Sequence, residues 1–203
     1  GSKDTAPDYA LIGDSHAMAV RYAVSDALTE QGRAGYFLAN KGCSFIPNMR
    51  YPDQNSVQDA CDTFTSDTLK FLQSQKDVKT VFIVSRWSRG IKGLTQFHGA
   101  MEVGQKNYLY TDPEYKLNTH EERVEYAAKE LVKMVQDLVA AGKEVHVLTP
   151  LPEIGYDTPK VLARAEFSGK AHNINQKWSD YQKRHDWFFT LLPQLEQVGA
   201  IIH

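Results

Sequence analysis

The chain has 203 residues, a formal net charge of −2 and 42% hydrophobic residues. That length suits one domain, which can bury a core without metals or many crosslinks. The near-neutral balance gives no electrostatic case for nucleic acid, and no apolar run reaches the length of a membrane span. The opening Gly1-Ser2 reads as the scar of a cleaved tag, so residues 1–7 are assigned to scar and linker and 8–203 to the domain. On this reading the chain is an excised piece, and the lack of a signal peptide says nothing about location.

Tyr9–Ile12 is a short apolar run that predicts a buried first strand, and Ser15–Gln31 a helix closed by Gly32. Met18, Tyr22 and Leu28 are placed on the inner face of that helix. Gly35–Ala39 predicts a second strand, followed by a loop holding Gly42, Cys43, Pro47 and Pro52. Val57–Gln75 reads as a helix with Phe64, Leu69 and Leu72 among its apolar positions, and Thr80–Val84 as a third, almost wholly apolar strand. Residues from Ser85 to Asn118 are irregular and rich in Gly and aromatic side chains, a length of loop that is usually functional or mobile. Thr119–Ala141 carries the clearest helix pattern: Thr119 as cap, Glu121 and Glu122 in the first turn, Gly142 after the last. Val145–Leu148 predicts a fourth strand leading to Thr149-Pro150-Leu151-Pro152-Glu153. Ile174–Val198 is mostly helical, with Pro193 kinking or splitting the run, and Ala200–Ile202 begins a fifth strand.

This order predicts an α/β fold, a three-layer α/β/α sandwich with a parallel sheet of about five strands and right-handed crossovers. Such a sheet puts its chemistry at the carboxyl ends of the strands. There the sequence reads Gly13-Asp14-Ser15-His16, which sets a serine hydroxyl between the end of a buried strand and the start of a helix. The helix start offers free N–H groups and partial positive charge to an oxyanion, and Gly13 permits a turn that a Cβ resists. Ser15 is the candidate nucleophile; the alternative is that Asp14 or Ser15 only caps the helix.

Both cysteines, Cys43 and Cys61, lie in the loop-rich stretch from Lys41 to Asp62. They can close a disulfide, contributing about 3 kcal/mol in the chain-entropy model, or remain buried thiols. We take the disulfide and, with it, an oxidising compartment. Zinc is not expected, since neither a CxxC pair nor clustered histidines accompany them.

With these segments in order, the chain resembles the SGNH (GDSL-type) hydrolase superfamily, and more narrowly the SGNH domain fused to the carboxyl end of membrane acyltransferase-3 proteins. Four segments carry the resemblance: Gly13-Asp14-Ser15-His16-Ala17; Gly42-Cys43-Ser44-Phe45-Ile46-Pro47 with Cys61 beyond it; Val81-Phe82-Ile83-Val84-Ser85-Arg86-Trp87; and Thr149-Pro150-Leu151-Pro152-Glu153-Ile154. The resemblance covers essentially the whole chain. It implies an SGNH/flavodoxin-like fold, Ser15 as nucleophile, and oxyanion donors at the backbone N–H groups of Ser15 and Gly42. The superfamily's further Asn donor has no counterpart in Ser85-Arg86-Trp87-Ser88, so Ser85 or Arg86 would have to replace it. Asp14, Arg86 and Trp87 are candidate substrate contacts. Arg86 can instead pair with an acidic neighbour. Trp87, Phe97, Tyr108 and Tyr110 can stack on sugars or fill a satellite core. Glu153 and Asp157, after the fourth strand, either meet substrate or are solvated.

The resemblance also implies a Ser–His–Asp triad whose last two members stand as Asp-x-x-His near the domain's end. At that spacing His146 is preceded by Lys143, His172 by Gly169, His185 by Gln182 and His203 by Ala200. The chain is therefore read as stopping short of its catalytic Asp and His; His16, His98, His120 and His146 are the substitutes considered. The implied function is transfer of an acetyl group, through an ester on Ser15, to a hydroxyl of lipopolysaccharide or another surface glycan. The donor would be delivered by an amino-terminal membrane acyltransferase-3 domain in cis, at the periplasmic side, without metal or organic cofactor. Two alternatives remain open: an esterase that removes acetyl groups from glycans, and a non-catalytic glycan-binding module.

Overall fold

The structure is a computed structural model that describes residues 5–49, 55–93, 117–153, 158–170 and 175–203. Five parallel strands form its sheet: β1 (Pro7–Gly13), β2 (Ala34–Ala39), β3 (Thr80–Val84), β4 (Glu144–Val147) and β5 (Ala200–Ile202), in the spatial order β2-β1-β3-β4-β5. The helices are α1 (Ser15–Thr29), α2 (Asn55–Ser74), α3 (Arg89–Lys92), α4 (His120–Ala140), α5 (Thr158–Ser168) and α6 (Trp178–Gln197). The α/β fold and its five-stranded parallel sheet are those the sequence predicts.

The strand pattern explains the layering. Alternate residues of a strand face opposite sides. Ala10 and Ile12 of β1, Val81 and Ile83 of β3, and Val145 and Val147 of β4 join one large core with Leu72 of α2, Leu131 and Leu138 of α4, and Phe188 and Leu191 of α6. Leu11, Val84 and Phe82 face the other way, toward Ala17, Val20 and Val24 of α1. Helix α4 is set as expected: the Thr119 hydroxyl accepts from the Glu122 N–H, the Glu122 carboxylate accepts from the Thr119 N–H, and Gly142 follows at a φ of 79°.

Several expectations are corrected. Tyr22 is not on the inner face of α1: it is 64% exposed. The apolar face of α1 is narrow, with Ala17 and Leu28 its buried residues, and an aromatic ring is left outside. Pro193 does not split the last helix. It lies inside α6, which begins at Trp178 and continues to Gln197. Two helices are not expected from the sequence: α3, whose four residues are too few to show a helical period, and α5, which buries no residue. Phe97, His98, Tyr108, Tyr110, Asp157 and His172 lie outside the described residues.

Candidate active site

The chain leaves β1 for β2 on one side, then crosses back past β1 to β3 on the other side and continues outward to β4 and β5. The order of strands thus reverses between β1 and β3, and at such a reversal the carboxyl ends of neighbouring strands leave a crevice. Both chain segments that leave these strands carry the candidate residues: Gly13-Asp14-Ser15 after β1 and Ser85-Arg86-Trp87 after β3.

Gly13 makes the close approach possible. It has a φ of 146°, and a Cβ there would lie 1.8 Å from the carbonyl oxygen of Val84, its partner on β3. Asp14 follows, 5% exposed, as the cap of α1. One carboxylate oxygen accepts from the His16 N–H at 2.7 Å; the other accepts from Ser85 Oγ at 2.9 Å and the Arg86 N–H at 2.8 Å. Asp14 therefore ties the start of α1 to the end of β3. All three bonds point into protein, so Asp14 is placed as a cap and not as an open substrate contact. The same bond turns the Ser85 hydroxyl, 1% exposed, toward Asp14 and away from the crevice. Ser85 Oγ is thus not an available third oxyanion donor.

Ser15, the first residue of α1, is exposed, and its hydroxyl makes no side-chain hydrogen bond among the described residues. Its N–H, at the first turn, has no intrahelical acceptor. Beside it runs the loop after β2, where the Asn40 N–H donates to the Gly13 carbonyl at 3.1 Å. Gly42 lies in this loop with a φ of 78° and open space where a Cβ would be. The loop is firmly held. Cys43 is disulfide-bonded to Cys61 of α2 with a Cα–Cα distance of 5.2 Å, Phe45, Ile46 and Met49 are buried in the main core, and Asn48 Nδ2 donates to Glu130 of α4 at 2.7 Å. The paired cysteines are the arrangement expected from the sequence.

Behind this edge lies a buried polar network that the sequence motifs only touch. Arg86 Nη2 donates to Glu153 Oε2 at 3.0 Å, and Arg184 Nη2 of α6 donates to the same oxygen at 3.1 Å. Glu153 is 7% exposed, which corrects the expectation of a solvated or substrate-facing carboxylate. Of the three roles considered for Arg86, oxyanion donor, substrate contact and partner of an acidic neighbour, the structure shows the last. Trp87 is 1% exposed; its indole N–H donates to the Leu148 carbonyl at 3.0 Å and its ring stacks on Phe188. It belongs to the core and is no exposed sugar platform. Arg184 escapes sequence reasoning because it stands in no motif, and His185 enters it only as a histidine with Gln182 where an Asp would be required. The only signal for them is their place on α6 between the buried Tyr181 and Phe188, one helical face.

The histidines are dispersed. His16 is half-buried, and desolvation holds it more weakly basic than usual against the opposing pull of Asp14. His185 is fully buried, with Nδ1 2.7 Å from Ser88 Oγ, and burial lowers its pKa to about 4. Ser88 Oγ also accepts from the Trp187 indole, so Ser88 is already committed. His146 stacks between Phe82 and His203 and bonds to His203 and Glu144. His120 opens α4. No hydrogen bond joins any of these rings to Ser15 among the described residues. Those residues hold no cluster of three or more His, Cys, Asp or Glu suited to a metal ion, and no helix long and apolar enough to cross a membrane.

A parallel sheet with a serine exposed at the β1–α1 junction fits the SGNH-type class that the sequence resembles. A model of the SGNH domain fused to AT3 domains matches residues 1–202, and the chain belongs to this family. Among solved structures, the chain is similar to the periplasmic domain of a lipopolysaccharide acetyltransferase from Salmonella ser. Paratyphi A. The TM-score is 0.61 at 13% identity, over 97% of this chain and 66% of that one, so the likeness is one of fold and the chain spans just under two thirds of that domain. No curated protein sequence matches.

Proposed function

We propose that the domain transfers an acetyl group to a hydroxyl of a cell-surface glycan, with Ser15 as nucleophile. The observation that carries this reading is the exposed, unbonded Ser15 hydroxyl at the open N-terminus of α1, next to a pinned loop bearing Gly42. Ser15 Oγ attacks the acetyl carbonyl, and the N–H groups of Ser15 and Gly42 receive the developing oxyanion. The serine proton passes to a base and on to the leaving group, and the acetyl group rests on Ser15 as an ester. A sugar hydroxyl then attacks that ester, gives up its proton to the base, and releases Ser15. Family membership supports an AT3 membrane domain in cis as the source of the acetyl group, and hence a periplasmic site. The Salmonella neighbour, an acetyltransferase of lipopolysaccharide, supports lipopolysaccharide as the type of acceptor. The chemistry needs neither metal nor organic cofactor.

The base is proposed to be a His, oriented by an Asp, on a segment following β5. No described histidine is hydrogen-bonded to Ser15. Because the strands are parallel, chain leaving β5 leaves on the same edge as Ser15. Among the described residues, Ile201 of β5, on the sheet face opposite α4 and α6, is 42% exposed. A parallel sheet is normally covered on both faces, so a following helix has a place to pack.

The test is hydrolysis of an activated acetyl ester by the 203-residue chain and by a chain continued past β5, each beside Ser15→Ala, with sugar acceptor added in steps. Activity only in the continued chain, lost in Ser15→Ala, with acetyl diverted from water to sugar, is the expected result. Activity in the 203-residue chain that Ser15→Ala removes would place the base within these residues. Release to water unchanged by sugar would leave an esterase. Glycan binding without turnover in either chain would leave a binding module.

A further inference from the structure

A pocket of about 210 Å³ opens between α1 and the edge strand β2, lined by Tyr9, Arg21, Tyr22, Ser25 and Phe37 among others. The construction of this pocket is specific. Tyr9 and Leu11 pair with Gly35 and Phe37 in the β1–β2 register, so all four lie on the face that α1 covers. Gly35 leaves room for the Tyr9 ring: a Cβ there would come within 2.4 Å of it. The ring thus forms the floor, and Phe37, 38% exposed, one wall. From α1, Arg21 sets its guanidinium 4.3 Å from the centre of the Tyr22 ring and 5.6 Å from that of Phe37, and donates to the Tyr22 hydroxyl.

Among the described residues, Arg21 has no carboxylate partner. Nearby Arg33 lies over the Tyr9 ring, 5.8 Å from its centre, but it is engaged by Asp8 at 2.9 Å and Thr80 at 2.8 Å. A cation held between two exposed aromatic rings above a small cavity suits a ligand with two parts, an anionic group for the guanidinium and a flat apolar face for the rings. Scattered exposed aromatic residues need no explanation, but three elements of one recognition chemistry in one pocket do.

We infer that this pocket binds a carboxylate-bearing sugar unit, as a second glycan subsite on the helix that starts with Ser15. The choice of a sugar over other anions rests on the glycan reading above. Arg21 stands six residues along α1 from Ser15, about 9 Å down its axis at the usual rise. An acceptor chain held there would lie across the edge of β2, with a neighbouring unit near the crevice. The subsite would select acidic glycans and hold them during transfer.

The experiment is an amide chemical-shift titration of the 203-residue chain with sodium glucuronate, and in parallel with glucose and with sodium acetate. Glucuronate at millimolar concentration is expected to shift Arg21, Tyr22, Gly35 and Phe37, with glucose and acetate each much weaker. Arg21→Gln and Phe37→Ala should each weaken glucuronate by about tenfold, the size of one lost charged hydrogen bond or stacking contact. Both side chains reach the surface, so an unchanged thermal midpoint checks that the fold is kept. Ser15→Ala should bind as the parent does, so the result is independent of whether Ser15 proves to be the nucleophile. No shift with glucuronate, an equal shift with glucose, or an equal shift with acetate would each overturn the inference. So would binding that survives both substitutions.

Discussion

At Gly13 the demand on a single residue is explicit. Its φ is open to glycine, and its Cα faces the Val84 carbonyl with no space for a methyl group. Gly13→Ala must both adopt a strained backbone and push β1 from β3, where these strands place Ser15. We expect a loss of at least about 2 kcal/mol in urea unfolding. Ester turnover by the chain continued past β5 should fall further than its folded fraction does. His185 makes a second prediction at this scale. Its folded pKa, about 4, lies below the ordinary histidine value because burial opposes its charge. Between about pH 6.5 and 4 the unfolded chain therefore binds more protons, so stability is complete above this window and is lost as pH falls through it. His16 is shifted in the same direction. His185→Gln should lessen the slope of stability against pH in that window by up to about one proton, measured by denaturant midpoints at stepped pH. An unchanged slope would show that the ring protonates without cost.

At the scale of elements, the segment after β2 does most to shape the site. Its sequence shows prolines, a glycine and two cysteines, and reads as loop. Its apolar residues nevertheless enter the main core: Phe45 is fully buried and Ile46 and Met49 are 2% exposed. The disulfide closes 18 residues of sequence and fastens Gly42's loop to α2. Reduction should cost about 2–3 kcal/mol in unfolding free energy on the chain-entropy model. The core contacts of Phe45 and Ile46 should still keep the domain folded, while acetyl-ester turnover drops because the Gly42 donor is no longer fixed. Strand β1, helix α4 and the cysteine pair are legible in the sequence because each has a strong local cause: a buried apolar run, a capping box, two cysteines in one loop. The Arg86–Glu153–Arg184 network is not. Its three members come from three separate segments, and only the fold brings them together. Tyr22 misleads for the opposite reason: the helical spacing matches, but α1 presents only a narrow face to the sheet.

For the whole molecule, the sheet order β2-β1-β3-β4-β5 converts a linear pattern of strands and helices into one edge with one crevice. Alternation of strand and helix is enough to predict the layers. The position of Ser15 at the reversal, between two strands whose chains diverge, follows from that order and not from Gly-Asp-Ser alone. The large core lies under α2, α4 and α6, whereas α1 alone supports the crevice side among the described helices with buried residues. The site thus sits above this packed core, and among the described residues Ile201 is exposed on the β5 flank. Its chemistry is read most directly from the mass of the Ser15 peptide after the chain continued past β5 is mixed briefly with an activated acetyl ester. One added acetyl group on that peptide is expected, absent in Ser15→Ala and cleared when a sugar acceptor is supplied. Turnover of the ester with no acetyl on Ser15, and equal turnover by Ser15→Ala, would refute Ser15 as the nucleophile.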